Sequence, residues 1–152
     1  MTNKQQAIID KLIEIFTADS QIKYAGIYPD DVVTIGNRKP AVIVIDDDES
    51  DYKYKGMSVE YSYNIGLLLV MDKVEGKRIK DLLAMQNHIQ TLIAINDNAL
   101  ASVGCSWVHL ISVDKGNLVS QQSEDSLGYL GSLSTRKINI QVGINDALAS
   151  ET

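Results

Sequence analysis

At residues 57–71 the chain reads MSVEYSYNIGLLLVM, and over most of this run apolar side chains alternate with polar ones. The odd positions up to Leu69 are apolar or aromatic, and the even positions from Ser58 to Asn64 are polar. Successive side chains of a β-strand point to opposite faces of a sheet, so the run predicts a long strand with one buried face. The apolar run AVIVI at residues 41–45 predicts a second, buried strand. Together the two runs predict an antiparallel pair.

Outward from this pair, the chain supplies helices and further strands. Apolar residues recur at helical spacing over 2–18 and again over 75–96, which predicts two amphipathic helices. Alternation predicts strands at 107–113 and 129–144, and a short extended piece is predicted at 22–29. This order predicts an α+β fold, with a mixed or antiparallel sheet and two main helices packed on one face.

Length and composition indicate one globular domain. The chain has 152 residues, of which 45% are hydrophobic and 22% charged. A chain of this size buries about two thirds of its unfolded surface, and its composition is not that of a disordered protein. We therefore predict a single α+β domain over residues 1–152, with 145–152 as a flexible tail.

The charge balance and the scarcity of reactive side chains argue against several functional classes. Fourteen Lys and Arg face twenty Asp and Glu, a formal net charge of −6, so the basic footprint of a nucleic-acid-binding protein is missing. Cys105 is the one cysteine, which excludes an internal disulfide framework and a multi-cysteine zinc site. The two histidines, His88 and His109, lie in no catalytic motif. We predict a protein that is not an enzyme, with no catalytic residue, metal or cofactor.

We expect no targeting signal in this sequence. The first six residues are polar, and the apolar residues that follow are interrupted by charges. No window reaches the ~18 uninterrupted apolar residues of a membrane span. We expect a soluble protein without a membrane partner.

The sharpest local feature is a run of carboxylates after the strand at 41–45. Such oxygen-rich groups could hold Mg²⁺ or Ca²⁺, but the spacing lacks the glycine and glutamate of an EF-hand. Mutual repulsion favours a solvated hairpin loop within the connection 46–56. The residues of this acidic loop are Asp46, Asp47, Asp48, Glu49 and Asp51.

A nuclease is one alternative. Asp30, after Pro29, and the later Asp51-Tyr52-Lys53 superficially resemble the PD-(D/E)xK signature, in which two acids bind Mg²⁺ and a lysine supports the attacking water. The motif is short and common by chance, and its acid-x-lysine element lies here in the expected loop instead of on a strand.

Other reactive groups have simpler interpretations. Cys105 and His109 would lie roughly 13 Å apart along a strand, too far for a nucleophile–base pair. We expect Cys105 to be a small core residue, His88 to lie on the surface, and His109 to be a structural or interface group. The stretch YKYK at 52–55 could stack on a nucleic-acid strand, but such alternation is typical of the exposed edge of a hairpin.

A polar segment without periodicity covers residues 114–128. It is longer than a hairpin connection requires, and long loops on rigid scaffolds are often functional. We predict that it contacts a partner through Gly116, Asn117, Leu118, Val119, Ser120, Gln121 and Gln122.

The order of elements resembles that of a known family. An amphipathic helix at 7–16 leads into AVIVID at 41–46, the long run SVEYSYNIGLLLV at 58–70, a long helix, a strand with Trp107, and KINIQVGI at 137–144. In architecture and size, from about residue 4 to 146, the chain resembles the tail terminator (tail completion) proteins of tailed bacteriophages.

The resemblance implies a structural role in the virion, after assembly in the host cytoplasm. It implies a homo-hexameric ring that caps the tail tube, contacts the tail tube protein and a head-side neck protein, and passes DNA transiently through a central channel. The acidic loop would face that channel, because like charge lets DNA slide. No catalytic residue or cofactor is implied. The alternative is another structural protein of the neck or the tail tube, and the Mg²⁺-dependent nuclease is a less favoured alternative than either.

Overall fold

One five-stranded sheet organises the structure, a computed structural model that describes residues 3–71, 78–115 and 134–147. The elements in chain order are α1 (Lys4–Ala18), β1 (Tyr24–Ile27), a 3₁₀ turn (Val32–Thr34), β2 (Ala41–Lys55), β3 (Ser58–Met71), α2 (Arg78–Ile95), α3 (Asp97–Ser102), β4 (Cys105–Lys115) and β5 (Ser134–Ala147).

The sheet is mixed, in the order β1-β2-β3-β5-β4. β1 runs parallel to β2, and every other neighbouring pair is antiparallel. The long alternating strand β3 lies at the centre, hydrogen-bonded to β2 on one side and β5 on the other. The predicted α+β class and the antiparallel pairing of β2 with β3 are confirmed.

The main core lies between the sheet and the two long helices. The odd-numbered face of β3, from Val59 to Leu69, and the even-numbered face of β5, from Ile138 to Ile144, form its floor. Both helices cover this same face, as the sequence predicts, because each presents one apolar stripe. The buried helix residues are Ile8, Ile9, Leu12 and Phe16 of α1 and Leu82, Ile89, Leu92 and Ile93 of α2.

Polar contacts fix the ends of α1. Asn3 caps its start, since the Asn3 side chain accepts a hydrogen bond from the backbone N–H of Gln6 at 3.2 Å. Asp19 follows its last turn, and its carboxylate lies 2.8 Å from His88 Nε2 on α2. His88 is therefore half-buried between the helices, and its predicted surface position is wrong.

A second, smaller cluster covers one end of the opposite face. The 3₁₀ turn and the residues after it pack there on the ends of β2 and β3, through Val32, Ile35, Ala41, Ile43, Leu68 and Val70. Beyond this cluster, the face turned away from α1 and α2 carries mainly polar side chains. We call it the open face.

The acidic residues 46–51 are not a loop, which corrects the sequence prediction. They belong to β2, which has 15 residues and pairs with β3 as far as Lys55–Ser58, with irregularities between Asp46 and Glu49 and between Ser50 and Lys53. The connection is the two-residue turn at 56–57, in which Gly56 has φ +62°. The 14-residue partner strand β3 supplies the hydrogen bonds that override the local turn preference.

One further boundary differs from the prediction. Residues 145–147, assigned to a flexible tail, form the end of β5 and pair with Glu60, Val59 and Ser58 of β3. The remainder of that tail, 148–152, lies outside the described residues, as does most of the predicted partner-binding segment 114–128.

Candidate interaction surface

Amide and hydroxyl side chains form a hydrogen-bonded array across the open face. Gln141 on β5 donates from Nε2 to Oδ1 of Asn64 on β3 at 3.2 Å. Asn139, two residues away on the same strand, donates from Nδ2 to Ser112 Oγ at 3.0 Å and to Asp114 Oδ2 at 2.9 Å. The array links three strands and leaves a polar, accessible surface, which is typical of a face that meets water or a polar partner.

A groove of about 840 Å³ runs across the open face near the β2–β3 hairpin. Trp107 and His109 of β4 stack in it, with ring centroids 4.6 Å apart and planes inclined by 30°. The indole fits against β5 because Gly143 lies beneath it, where a Cβ atom would overlap the ring. Lys53 and Glu60 line the opposite side.

The five carboxylates of the acidic segment, residues 46–51, point in different directions. Asp46 accepts a hydrogen bond from Tyr63, and Glu49 accepts one from Tyr52 at 2.8 Å, both on the helix side of the sheet. Asp47 is on the open face, where Lys137 Nζ lies 3.1 Å from its Oδ2.

The remaining two carboxylates, those of Asp48 and Asp51, line depressions of the open face. A single channel-facing set of five is therefore not what the strand geometry presents, because β2 turns Asp46 and Glu49 to the helix side, while the irregularity between them puts Asp47 and Asp48 on the open face.

Tyrosines anchor the acidic segment from the helix side. Tyr63 is fully buried, and burial, together with its hydrogen bond to Asp46, raises its pKa far above the usual value. The hydrogen bond to Glu49 raises the pKa of Tyr52 to about 12. Both phenols therefore stay neutral donors in the physiological range and hold the carboxylates in place.

The hairpin beyond the acidic segment is fastened to α1 and β5. Tyr52 stacks on Tyr61 with ring centroids 4.8 Å apart. Gln5 donates to the Tyr61 hydroxyl at 3.0 Å, and Lys4 forms a 3.6 Å ion pair with Asp146 of β5. The hairpin is thus tied to both neighbouring elements.

The tyrosines and lysines of the predicted hairpin edge have separate environments. Tyr54 is 76% exposed, and Lys55 forms a 3.1 Å ion pair with Glu60 across the hairpin. This arrangement agrees with the exposed hairpin edge that the alternation at 52–55 predicts.

The residues of the nuclease hypothesis are not brought together. Asp30 follows β1, whose last paired residue lies beside Val44 of β2. Asp51 lies about six β3 residues beyond Val44, roughly 20 Å from the end of β1 at the usual rise per residue. Asp31, next to Asp30, stays at the end of β1, because its carboxylate accepts a hydrogen bond from the Ile27 N–H at 2.8 Å. Within the described ranges, no three His, Cys, Asp or Glu side chains are grouped so that they could hold a metal ion.

Cys105 is a core residue, as predicted. It is 5% exposed, and its thiol donates to the carbonyl oxygen of Trp107. Burial raises the pKa of the thiol to about 11, so it is not a thiolate at neutral pH. His109 lies on the other face of the sheet, stacked on Trp107.

The partner-binding residues predicted from the sequence, Gly116 to Gln122, lie outside the described residues. What sequence reasoning missed is the pair of sheet edges. β1 covers only residues 41–44 of β2, and β4 has β5 as its one strand neighbour in the described chain. No local sequence pattern marks this edge, and the exposure of Leu110 and Ile111 on β4 is evident only from the structure.

No protein-family model matches the chain, and no curated protein sequence matches it either. None of the described helices is both long and apolar enough to cross a membrane.

Proposed function

We propose that the chain is a structural protein of a tailed bacteriophage, a tail terminator that forms a hexameric ring at the head–tail interface, caps the tail tube and lets DNA pass. The order of elements along the chain supports this function, since a helix, a long strand pair, a second long helix and a further strand pair follow one another as in the family that the sequence resembles.

The acidic segment carries the proposal. Five carboxylates within residues 46–51 belong to strand β2, and three of them, on Asp47, Asp48 and Asp51, lie in its two irregularities and line the open face. Like charge repels phosphates, so a ring with open faces turned inward would pass DNA without gripping it.

The lysines of the open face do not reverse this sign. Lys137 is paired with Asp47, and Lys55 is paired with Glu60. Lys53 lines the groove as well, together with Asp51 and Glu60. Asp114 adds a carboxylate beside Asn139. The described part of the open face therefore favours a passing polyanion over a tightly bound one.

Electron microscopy of the purified full chain, alone and mixed with tail tubes, tests the function. A terminator forms single rings that seat on one end of a tube and stop its growth. Long stacks formed by the chain alone would indicate a tube protein instead, and absence of rings both alone and on tubes would refute the proposal.

The nuclease alternative has its own assay. We expect supercoiled DNA to remain intact with the protein and Mg²⁺ or Mn²⁺. Cleavage that is abolished in both Asp51→Ala and Lys53→Ala would replace the structural role by a catalytic one.

A further inference from the structure

The sheet ends in two long edges that carry no described strand across most of their length. β1 pairs with residues 41–44 of β2, and in the described chain the outer side of β2 from 45 to 55 has no strand beside it. On the far side of the sheet, β4 has no outer neighbour among the described strands over its 11 residues. Unpaired backbone groups of this kind are ready sites for strand addition.

The two edges lie at the same height on the sheet. One row of paired residues runs from Ile45 through Gly66 and Asn139 to Ser112. A second row runs from Ser50 through Ser62 and Gly143 to Trp107. Residues 107–112 of β4 are therefore level with residues 45–50 of β2. Residues 113–115 are level with 42–44, where β1 occupies the edge, so strand addition is limited to 107–112.

Strand direction also suits a contact between copies. Three antiparallel steps separate β2 from β4, so the two edge strands run in opposite directions. Rotation about an axis parallel to the strands preserves both height and direction. A second copy placed in this way presents its β4 antiparallel to β2 of the first, with the open faces on the same side.

Side-chain chemistry favours this pairing over the pairing of identical edges. Two β2 edges would bring the carboxylates of their acidic segments face to face, which is unfavourable between directly opposed strands. β4 offers instead the exposed Leu110 and Ile111, and its residues 105–114 include a single acid, Asp114. His109 pairs with Gln141, which in turn pairs with Asn64. On β2, the residues level with this row are Asp47 and Asp48, in the irregularity of the strand.

We propose that β4 of one copy adds to the outer edge of β2 of the next, residues 45–50 against 107–112, and that this head-to-tail contact closes the ring. This inference rests on the proposed function, which supplies the ring, and adds which strands of neighbouring copies form the contact. The partner is a second copy of this chain, and the sheet continues from one copy to the next.

Disulfide trapping tests the register. Paired strands place opposed Cα atoms about 4.5–5.5 Å apart, which a disulfide can span. Ile45→Cys combined with Ser112→Cys joins residues of one row, whereas Ser50→Cys combined with Ser112→Cys joins rows about 13 Å apart. Native Cys105 stays in place because it is buried.

Mild oxidation of the Ile45→Cys/Ser112→Cys chain is expected to give covalent ladders that end at the closed ring, and the mismatched pair to stay uncrosslinked. Native mass spectrometry of each variant before oxidation shows whether rings are present. Rings in which the matched pair crosslinks no better than the mismatched pair would overturn the contact and leave the proposed function standing. Absence of rings for the unmodified chain, alone and with tail tubes, would overturn the proposed function itself.

A charge substitution tests the same edge independently. Ile111 is 54% exposed on β4, so Ile111→Glu should fold normally, while its carboxylate would face the acidic segment of the neighbouring β2 and oppose strand addition. Ile95→Glu, at a 71% exposed position on α2, is the matched control. Rings are expected to dissociate to folded monomers in Ile111→Glu and to persist in Ile95→Glu. Intact rings in Ile111→Glu, or covalent dimers from Ser112→Cys alone that indicate β4–β4 pairing, would overturn the proposal.

Discussion

Replacing Tyr63 by Phe removes the hydroxyl that ties the acidic segment to β3, and the effect should depend on pH. The ring of Tyr63 is fully buried, and its hydroxyl donates to Asp46, whose carboxylate is otherwise exposed. A hydrogen bond to a charged group contributes about 1.5–3 kcal/mol, but water can replace this donor at Asp46. We therefore expect Tyr63→Phe to lower the free energy of unfolding by about 1–2 kcal/mol at pH 7.

At alkaline pH the wild type should lose its stability advantage over the Tyr63→Phe variant. The pKa of Tyr63 is raised in the folded state, chiefly by burial, whereas an unfolded tyrosine ionises near 10. The stabilisation is complete below the unfolded pKa and is lost as pH rises above it, by about 1.4 kcal/mol per pH unit for one phenol kept neutral. The phenyl ring of the Tyr63→Phe variant does not titrate, so the deficit of the variant should vanish about one unit above pH 10. Tyr52 and Tyr61 titrate in both proteins and leave the difference unchanged.

Urea unfolding at pH 7, 9, 10, 11 and 11.5, followed by circular dichroism, measures this crossing. Tyr54→Phe is the matched control, since Tyr54 is 76% exposed and its substitution should change stability at pH 7 by less than about 0.5 kcal/mol. Wild-type and Tyr63→Phe stability curves that remain parallel up to pH 11.5 would refute the buried, Asp46-bound phenol.

Three other substitutions probe the packing of the sheet. Gly143→Ala should displace the ring of Trp107, the one tryptophan of the chain, shifting its fluorescence to longer wavelength and costing about 1 kcal/mol; an unchanged spectrum would contradict the close approach. Phe16→Ala should cost about 3–5 kcal/mol in denaturant unfolding because the ring is fully buried, and a loss under 1 kcal/mol would place α1 outside the core. Asp47→Asn should cost less than about 1 kcal/mol, since its ion pair with Lys137 is partly exposed; a thermal shift matching more than 2 kcal/mol would show a buried pair.

Periodicity was sufficient to predict the elements whose buried face follows from the spacing of their own apolar residues. The alternation at 57–71 predicts β3 and its buried face, and the helical spacing predicts α1 and α2 within a few residues. The same logic failed for the acidic segment, because its composition favours a loop and only the long partner strand makes it a strand. Asp51 adopts φ +58°, a left-handed conformation that Asp tolerates better than most residues.

Pairing order was beyond local patterns. Nothing in the run 24–27 indicates that β1 lies parallel to β2 and ends beside Val44 of that strand. Nothing in the composition of β4 indicates that it is an edge strand. Those facts depend on contacts between segments distant in sequence, as does the place of Trp107 over Gly143. The interaction surface therefore had to come from the structure.

Native mass spectrometry of the full chain at micromolar concentration tests the central claim most directly. A terminator ring predicts one discrete species of about 100 kDa, since each of six chains has a mass of 16.7 kDa. A monomer at every concentration, with or without tail tubes, or an open-ended series of ever larger assemblies, would contradict it.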